Sequence, residues 1–200
     1  LTAAPGAIAR QDITFGLLAG GRATRLGGRD KAWLTRDGVP QVLRLARCFS
    51  PVVSGVLVSA NRDLARHAAA GLQAVADRVP DAGPLGGLDA LAQACATPWL
   101  FTAPVDLVEA EPGLLDALVR GASEQGACAC DEDGPQPLLA LWPAAALREA
   151  VGPALDEGRL SVQALQRQLD MPVVRFQGVR LGNLNTPAAL RAAGMETDPA

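Results

Sequence analysis

The chain is short of the side chains on which much enzyme chemistry rests. It has a single histidine, His67, and Lys31 is the only lysine among 18 Lys+Arg residues. A Ser-His-Asp hydrolase would have to use His67. That residue sits in Asp63-Leu64-Ala65-Arg66-His67-Ala68, which reads as an exposed helix face, so this class is excluded. Cysteine is also scarce. Cys48, Cys95, Cys128 and Cys130 lie among apolar or small residues, and Cys128-Ala129-Cys130 is too tight for an ordinary disulfide or a four-ligand zinc site. They read as buried, reduced thiols of a cytosolic protein.

Other absences narrow the field further. There is no extended basic run and the net charge is −3, which excludes the wide phosphate-contacting face of a nucleic-acid binder. No apolar run approaches the ~20 residues that span a bilayer. Residues 1–12 are small and polar, with Arg10 interrupting, and do not resemble a secretion signal. The expectation is a cytoplasmic protein without membrane or nucleic-acid partners. No internal repeat or low-complexity linker divides the chain. Its 200 residues, 49% hydrophobic, read as one domain over 13–193, with an N-terminal extension (1–12) and a C-terminal tail (194–200).

What is present is concentrated at one place. The apolar run Ile13 to Leu18 leads into Ala19-Gly20-Gly21-Arg22-Ala23-Thr24-Arg25-Leu26-Gly27-Gly28-Arg29-Asp30-Lys31, a buried strand opening into a glycine-rich loop. Glycines let a backbone approach a ligand closely, and successive N–H groups in such a turn form an anion-binding concavity. Arg22, Arg25, Arg29 and Lys31, against Asp30, place positive charge beside those amides, as a triphosphate cradle requires. The spacing fits neither the dinucleotide fingerprint nor the P-loop. A merely solvated, flexible basic connection is the alternative. The lone lysine argues for function, because a compact ammonium differs from the planar fork of arginine among phosphate oxygens.

Downstream, apolar strands alternate with amphipathic helices, the pattern of an α/β sheet of mostly parallel order. The spacing predicts strands over Val52–Ser59, Leu72–Ala76 and Trp99–Val105, and helices over Val39–Phe49, Asn61–Ala70 and Leu85–Ala96. Polar residues follow the strands: Ser59 and Asn61, Asp77, and Asp106. Open parallel sheets bind ligands beyond the carboxyl ends of their strands. Asn61 could instead cap a helix, and Asp77 could be a turn residue. Asp106 ends the most apolar strand, where a carboxylate needs a partner, with Lys31, Arg25 or a magnesium ion as candidates.

The turn Asp81-Ala82-Gly83-Pro84-Leu85-Gly86-Gly87 runs into a helix and offers either a second anion site or tight helix–sheet packing. In the second half a helix is predicted over Pro112–Glu124. Strands over Gly126–Cys130 and Gln136–Trp142 form a smaller antiparallel hairpin across the acidic, solvated turn Asp131-Glu132-Asp133-Gly134. Helices over Ala144–Val151 and Leu160–Leu169 and a strand over Pro172–Phe176 follow. Asn183-Leu184-Asn185-Thr186-Pro187 then leads into a helix over Ala188–Ala193, and Met195–Ala200 reads as a frayed tail.

Taken in order, Leu-Ala-Gly-Gly-x-x-x-Arg-Leu-Gly-Gly-x-Asp-Lys at 18–31, Ser-Ala-Asn-Arg at 59–62, Asp77 before Gly-Pro-Leu-Gly-Gly at 83–87, Val-Asp at 105–106 and Asn-Leu-Asn-Thr-Pro at 183–187 resemble the molybdenum cofactor guanylyltransferases, the MobA-type enzymes. The resemblance implies a single Rossmann-like nucleotidyltransferase domain with helices on both faces of a mostly parallel sheet. It also implies transfer of GMP from GTP to the terminal phosphate of molybdopterin, with release of pyrophosphate and magnesium as cofactor. Catalysis would fall to Lys31, Asp106 and Arg25. Leu18, Ala19, Gly20, Gly21, Lys31, Ser59, Asn61 and Asp77 would meet the nucleotide, and Asp77 would accept from the guanine edge. Asp106 would hold the metal, and Arg25, Gly28, Gly83, Gly87, Asn183 and Asn185 would face the pterin. Molybdenum cofactor-handling proteins or apo-molybdoenzymes would be transient partners. The chain departs from the family in having Ser59 for a common asparagine, Val108 for a common proline and Gln136 for a common histidine. A transferase using CTP or another phosphate acceptor, and a non-catalytic nucleotide-binding module, are the competing readings.

Overall fold

The computed structural model describes residues 8–20 and 30–196. Its frame is a seven-stranded sheet in the order β5-β4-β1-β6-β8-β7-β9. These strands are β1 (Ile13–Leu18), β4 (Gly55–Ser59), β5 (Gln73–Val75), β6 (Trp99–Pro104), β7 (Ala127–Asp131), β8 (Gly134–Pro143) and β9 (Val173–Arg175). β1 is buried at every residue and pairs in parallel with β4 on one side and β6 on the other. β4 and β5 are parallel, as are β7 and β9. Within this sheet β8 runs antiparallel to both its neighbours, β6 and β7, and forms a hairpin with β7. A strand buried on both faces reads as a continuous apolar run, and this is why β1 and β6 were legible without alternation.

Two apolar layers flank the sheet. On one face Phe15, Phe49 and Phe101 meet with ring centroids 4.7–5.2 Å apart, joining β1 and β6 to helix α1 (Gln41–Phe49). On the other face α3 (Pro84–Ala94) and α5 (Ala144–Asp156) pack over Leu18, Leu57, Leu100 and Trp142. α3 lies unusually close to the strands. A Cβ on Gly87 would sit 2.7 Å from both Leu18 Cδ2 and Ser59 Oγ, so a larger residue there would have to displace both side chains.

Element boundaries shift where local chemistry outweighs periodicity. Val39 and Pro40 form β3, paired with β2 (Thr35–Arg36), so α1 starts at Gln41. Val52 belongs to a 3₁₀ turn and β4 begins at Gly55. α2 spans Leu64–Ala69, with Asp63 in a left-handed conformation before it, so Asn61 is not its cap. α5 runs past Gly152 and Pro153 to Asp156, because Ala154 extends its buried stripe. α4 (Pro112–Gly121) and α6 (Val162–Gln168) fall within the expected ranges. Thr186 caps α7 (Pro187–Ala192) by accepting from Ala189 N at 3.1 Å. Within the expected frayed tail, Glu196 instead exchanges two backbone hydrogen bonds with Thr35.

The acidic turn is not merely solvated. Asp131 is 8% exposed, and its carboxylate accepts from Leu181 N at 2.9 Å, Asp133 N at 2.9 Å and the Gln136 amide at 3.1 Å. Glu132 accepts from Gly178 N at 2.8 Å, and Asp133 pairs with Arg180 at 3.0 Å. The hairpin tip therefore grips residues 178–181, which lead directly to Asn183 and Asn185. Burial alone would raise the Asp131 pKa, but the hydrogen bonds from Leu181, Gln136 and Asp133 outweigh it and hold the carboxyl below its ordinary value. A depressed folded-state pKa means that the stabilisation is full above the ordinary carboxylate pKa of about 3.9 and fades as pH falls through the folded value. Asp131→Asn is accordingly expected to cost about 2 kcal/mol at pH 7. It should also flatten the loss of stability below pH ~4, as read by denaturant unfolding across pH.

Candidate active site

Four parallel strands end along one edge of the sheet, and the residues that follow them wall a cleft of about 810 Å³. Reading across the sheet, β5 delivers Asp77, β4 Ser59 and Asn61, β1 Leu18 to Gly20, and β6 Asp106. Lys31, Gly83, Gly87 and Asn185 complete the expected residues in the wall.

At the centre, Lys31 Nζ donates to Asp106 Oδ2 at 2.9 Å and to Asn185 Oδ1 at 2.6 Å. Both charged side chains are about one-fifth exposed, so each keeps contact with water while the protein fixes their geometry. Lys31 opens a single 3₁₀ turn, Lys31–Trp33, capped by Asp30 Oδ1 accepting from Ala32 N at 2.9 Å. The turn is anchored beneath by Trp33, whose ring lies 4.9 Å from that of His67 and under the Arg66 guanidinium at 4.0 Å. His67 is wholly buried, contrary to the exposed helix face expected from sequence. A six-residue α2 turns it inward onto Trp33, and the periodicity of so short a helix carries little weight. Burial pushes its pKa down, against the nearby Asp30 and Asp63 carboxylates, so it is a neutral packing group. Its interior position leaves the exclusion of a His-dependent hydrolase intact.

Asp106 is held from two sides. Val105 N donates to Leu18 O at 3.0 Å, continuing the β1–β6 ladder, and Asp106 O accepts from Leu184 N at 3.0 Å. Asn183 pairs with Leu107, and its side-chain oxygen accepts from Asn185 Nδ2 at 2.6 Å. Asn183 thus orients Asn185 rather than lining the cleft itself. Asn185, expected toward the pterin, bonds Lys31 directly.

At the other end, Asp77 accepts from Ser59 Oγ at 3.1 Å and from Asn61 Nδ2 at 2.8 Å, while Asp77 N donates to Asn61 Oδ1 at 2.9 Å. Freed from capping α2, Asn61 clasps Asp77 from both sides. Gly20 and Gly86 keep this group accessible: a Cβ on Gly20 would lie 3.1 Å from Asn61 Nδ2, and one on Gly86 3.0 Å from Asp77 Oδ2. Gly87 backs Ser59 and so stands at the Asp77 end of the cleft, as does the N-cap of α3, Gly83, with φ +60°. Gly21, Arg25 and Gly28 lie outside the described residues, so the geometry speaks to the loop only at its two ends.

Four further residues contribute, to which the sequence patterns gave no individual role. Arg62, Asp81 and Leu138 also line the cleft. Asp89, fully buried in α3, receives two hydrogen bonds from Arg78, the residue after Asp77, at 2.8 and 2.7 Å. The one charged residue of a mainly apolar helix was the available signal, because a buried carboxylate must find a cation. Leu138 could not have been found, since it depends on an irregularity where β7 and β8 shift register. Among the described residues no three His, Cys, Asp or Glu side chains cluster as metal ligands, and no helix is long and apolar enough to cross a membrane.

The chain is similar to known proteins in sequence and in fold. The model of the MobA-like NTP transferase domain matches residues 16–172. A molybdenum cofactor guanylyltransferase of Cupriavidus necator is 37% identical over 194 residues, covering 92% of this chain and 97% of that protein. One from Ralstonia nicotianae is 36% identical over 198 residues, with 92% and 97% covered. Among solved structures, molybdopterin-guanine dinucleotide biosynthesis protein A of Archaeoglobus fulgidus superposes with a TM-score of 0.70 at 18% identity, covering 90% of this chain and 96% of that one. A 2-C-methyl-D-erythritol 4-phosphate cytidylyltransferase of Thermus thermophilus superposes at 0.65 and 17%, with 90% and 96% covered. These two likenesses speak to the fold, whereas the matched model and the full-length relatives decide the lineage: the chain belongs to the MobA-like NTP transferase family.

Proposed function

We propose that the chain transfers GMP from GTP to the terminal phosphate of molybdopterin, releasing pyrophosphate. The observation that carries this reading is the Lys31–Asp106 contact at 2.9 Å, set where the tips of β1 and β6 meet the cleft. It brings a cation and a carboxylate from 75 residues apart to one point beside the glycine-rich loop. The full-length relatives named as guanylyltransferases supply the choice of donor and acceptor.

In this reaction an oxygen of the acceptor's phosphate forms a bond to the α-phosphorus of GTP as the bond from that phosphorus to the β-phosphate oxygen breaks. The protein has little covalent work to do, and positioning and charge neutralisation dominate. Lys31 has three donors, so Nζ can keep its bond to Asn185 while another N–H turns to a phosphate oxygen. Asp77 presents carboxylate oxygens that accept from the N1–H and 2-amino group of guanine, with Ser59 and Asn61 holding its orientation. A single carboxylate beside substrate phosphates is the donor set magnesium favours, and Asp106 would hold that ion. Bound there, the ion would neutralise developing charge on the phosphates.

Asp106→Asn is expected to lower turnover by ~10²–10³-fold, the usual cost of one transition-state charge stabiliser. Pyrophosphate release with GTP, molybdopterin and magnesium measures this, and near-normal turnover would remove Asp106 from the mechanism. Lys31→Arg should cut kcat by roughly tenfold or more despite its retained charge, because a planar fork does not replace a point ammonium between Asp106 and Asn185. With molybdopterin as acceptor, GTP should be used in preference to CTP; the reverse order would overturn the assignment of the base to Asp77.

A further inference from the structure

The loop that carries Asp77 is tied down by an ion pair which the reaction as described does not use. Asp89 lies on α3 with no solvent exposure, and its carboxylate takes both hydrogen bonds from Arg78, Nε at 2.8 Å and an Nη at 2.7 Å. Arg78 is the residue after Asp77, so the grip acts one peptide away from the base-reading carboxylate. On the other side Asp77 is held by Ser59 and Asn61 from the tip of β4. Asp77 therefore sits between two anchors on different elements, α3 behind and β4 in front. The same helix supplies Gly86 and Gly87, whose missing Cβ atoms leave room for Asp77 and Ser59.

We infer that the Arg78–Asp89 pair is a positioning device for donor selectivity: it sets the reach of Asp77 toward the guanine N–H edge. This rests on the reading of Asp77 as the base-selecting group. The geometry supports a role beyond stability. A bidentate guanidinium–carboxylate pair fixes direction as well as distance. Here the guanidinium is largely open to solvent while the carboxylate is sealed in the helix, so the loop is what the pair locates. Two hydrogen bonds from guanine to Asp77 require both oxygens to face the base edge together. A group displaced by a fraction of an ångström would keep one of those bonds and lose the other. The 2-amino group distinguishes GTP from inosine triphosphate (ITP), which keeps N1–H but lacks that amine, so the ratio of kcat/KM for the two donors reports on Asp77 placement.

The test compares that ratio in the wild type, Asp77→Asn, Arg78→Ala, Asp89→Asn and the paired change Arg78→Met with Asp89→Leu, which removes both charges without leaving one buried alone. Thermal unfolding of each variant is measured alongside. The expected result is that all three changes at positions 78 and 89 reduce the GTP-over-ITP ratio by roughly tenfold, chiefly through a higher KM for GTP with kcat nearly kept. Asp77→Asn should abolish the preference. If Asp77→Asn abolishes it while the folded paired variant keeps the wild-type ratio, the pair is only structural and the inference fails with the base assignment intact. If Asp77→Asn leaves the ratio unchanged, or the wild type shows no preference, the base assignment fails and takes the inference with it. Should Arg78→Ala or Asp89→Asn fail to fold, the paired variant decides alone.

Discussion

Everything at the cleft depends on one constraint: an ammonium and a carboxylate held 2.9 Å apart at the ends of two adjacent parallel strands. Neither group could be placed there by its own segment. Parallel pairing of β1 with β6 brings their carboxyl ends level, and the backbone bond from Val105 to Leu18 carries that register to the last residue before Asp106. Lys31 returns to the same point on a turn pinned by Asp30 and weighted by buried Trp33. The ionic contact is partly open to water and contributes little to stability as such. Its importance is positional, because it defines where phosphate charge is to be met.

The remaining parts of the wall extend from this point in strand order. Toward β5 lies the polar clasp of Ser59, Asn61 and Asp77, which suits hydrogen-bond recognition of a base. Toward β8 the sheet changes direction, and the wall is completed by Leu138 and by Asn185 from the C-terminal segment. Thr102 stabilises the irregular part of β8: its hydroxyl donates to Leu138 O at 2.9 Å and accepts from Trp142 Nε1 at 2.9 Å. The donor side is thus built from strand tips and the far side from a hairpin and a strap, so the two ends rest on different structural supports.

Much of this was legible in the sequence, for physical reasons. Continuous apolar runs mark strands buried on both faces, so β1, β4 and β6 and the polar residues after them could be placed from composition alone. That Asp106 needs a cation followed because a carboxylate closes an apolar strand, and Lys31 is the one of the three expected candidates that meets it here. What escaped depends on contacts distant in sequence. His67 faces inward because of Trp33, a residue 34 positions earlier whose packing leaves no local trace. Asp131 looks like any acidic turn until Leu181 N is brought to it, and Asn185 resembles a helix-flanking polar residue until Lys31 arrives. The loop residues Gly21, Arg25 and Gly28 carry the strongest motif but fall outside the described residues.

The strap has an outcome in time as well as space. Asn185 lies 154 residues from the lysine it holds, and its own support comes from the hairpin tip through Leu181. During synthesis the parallel half of the sheet emerges and can gather its nucleotide-side groups well before residue 185 leaves the ribosome. Until that last segment docks, the ammonium lacks one of its two anchors. A nascent or C-terminally clipped chain would then have the framework of the cleft without Asn185 at its centre, so the lysine's second anchor depends on the last part of the chain to be made.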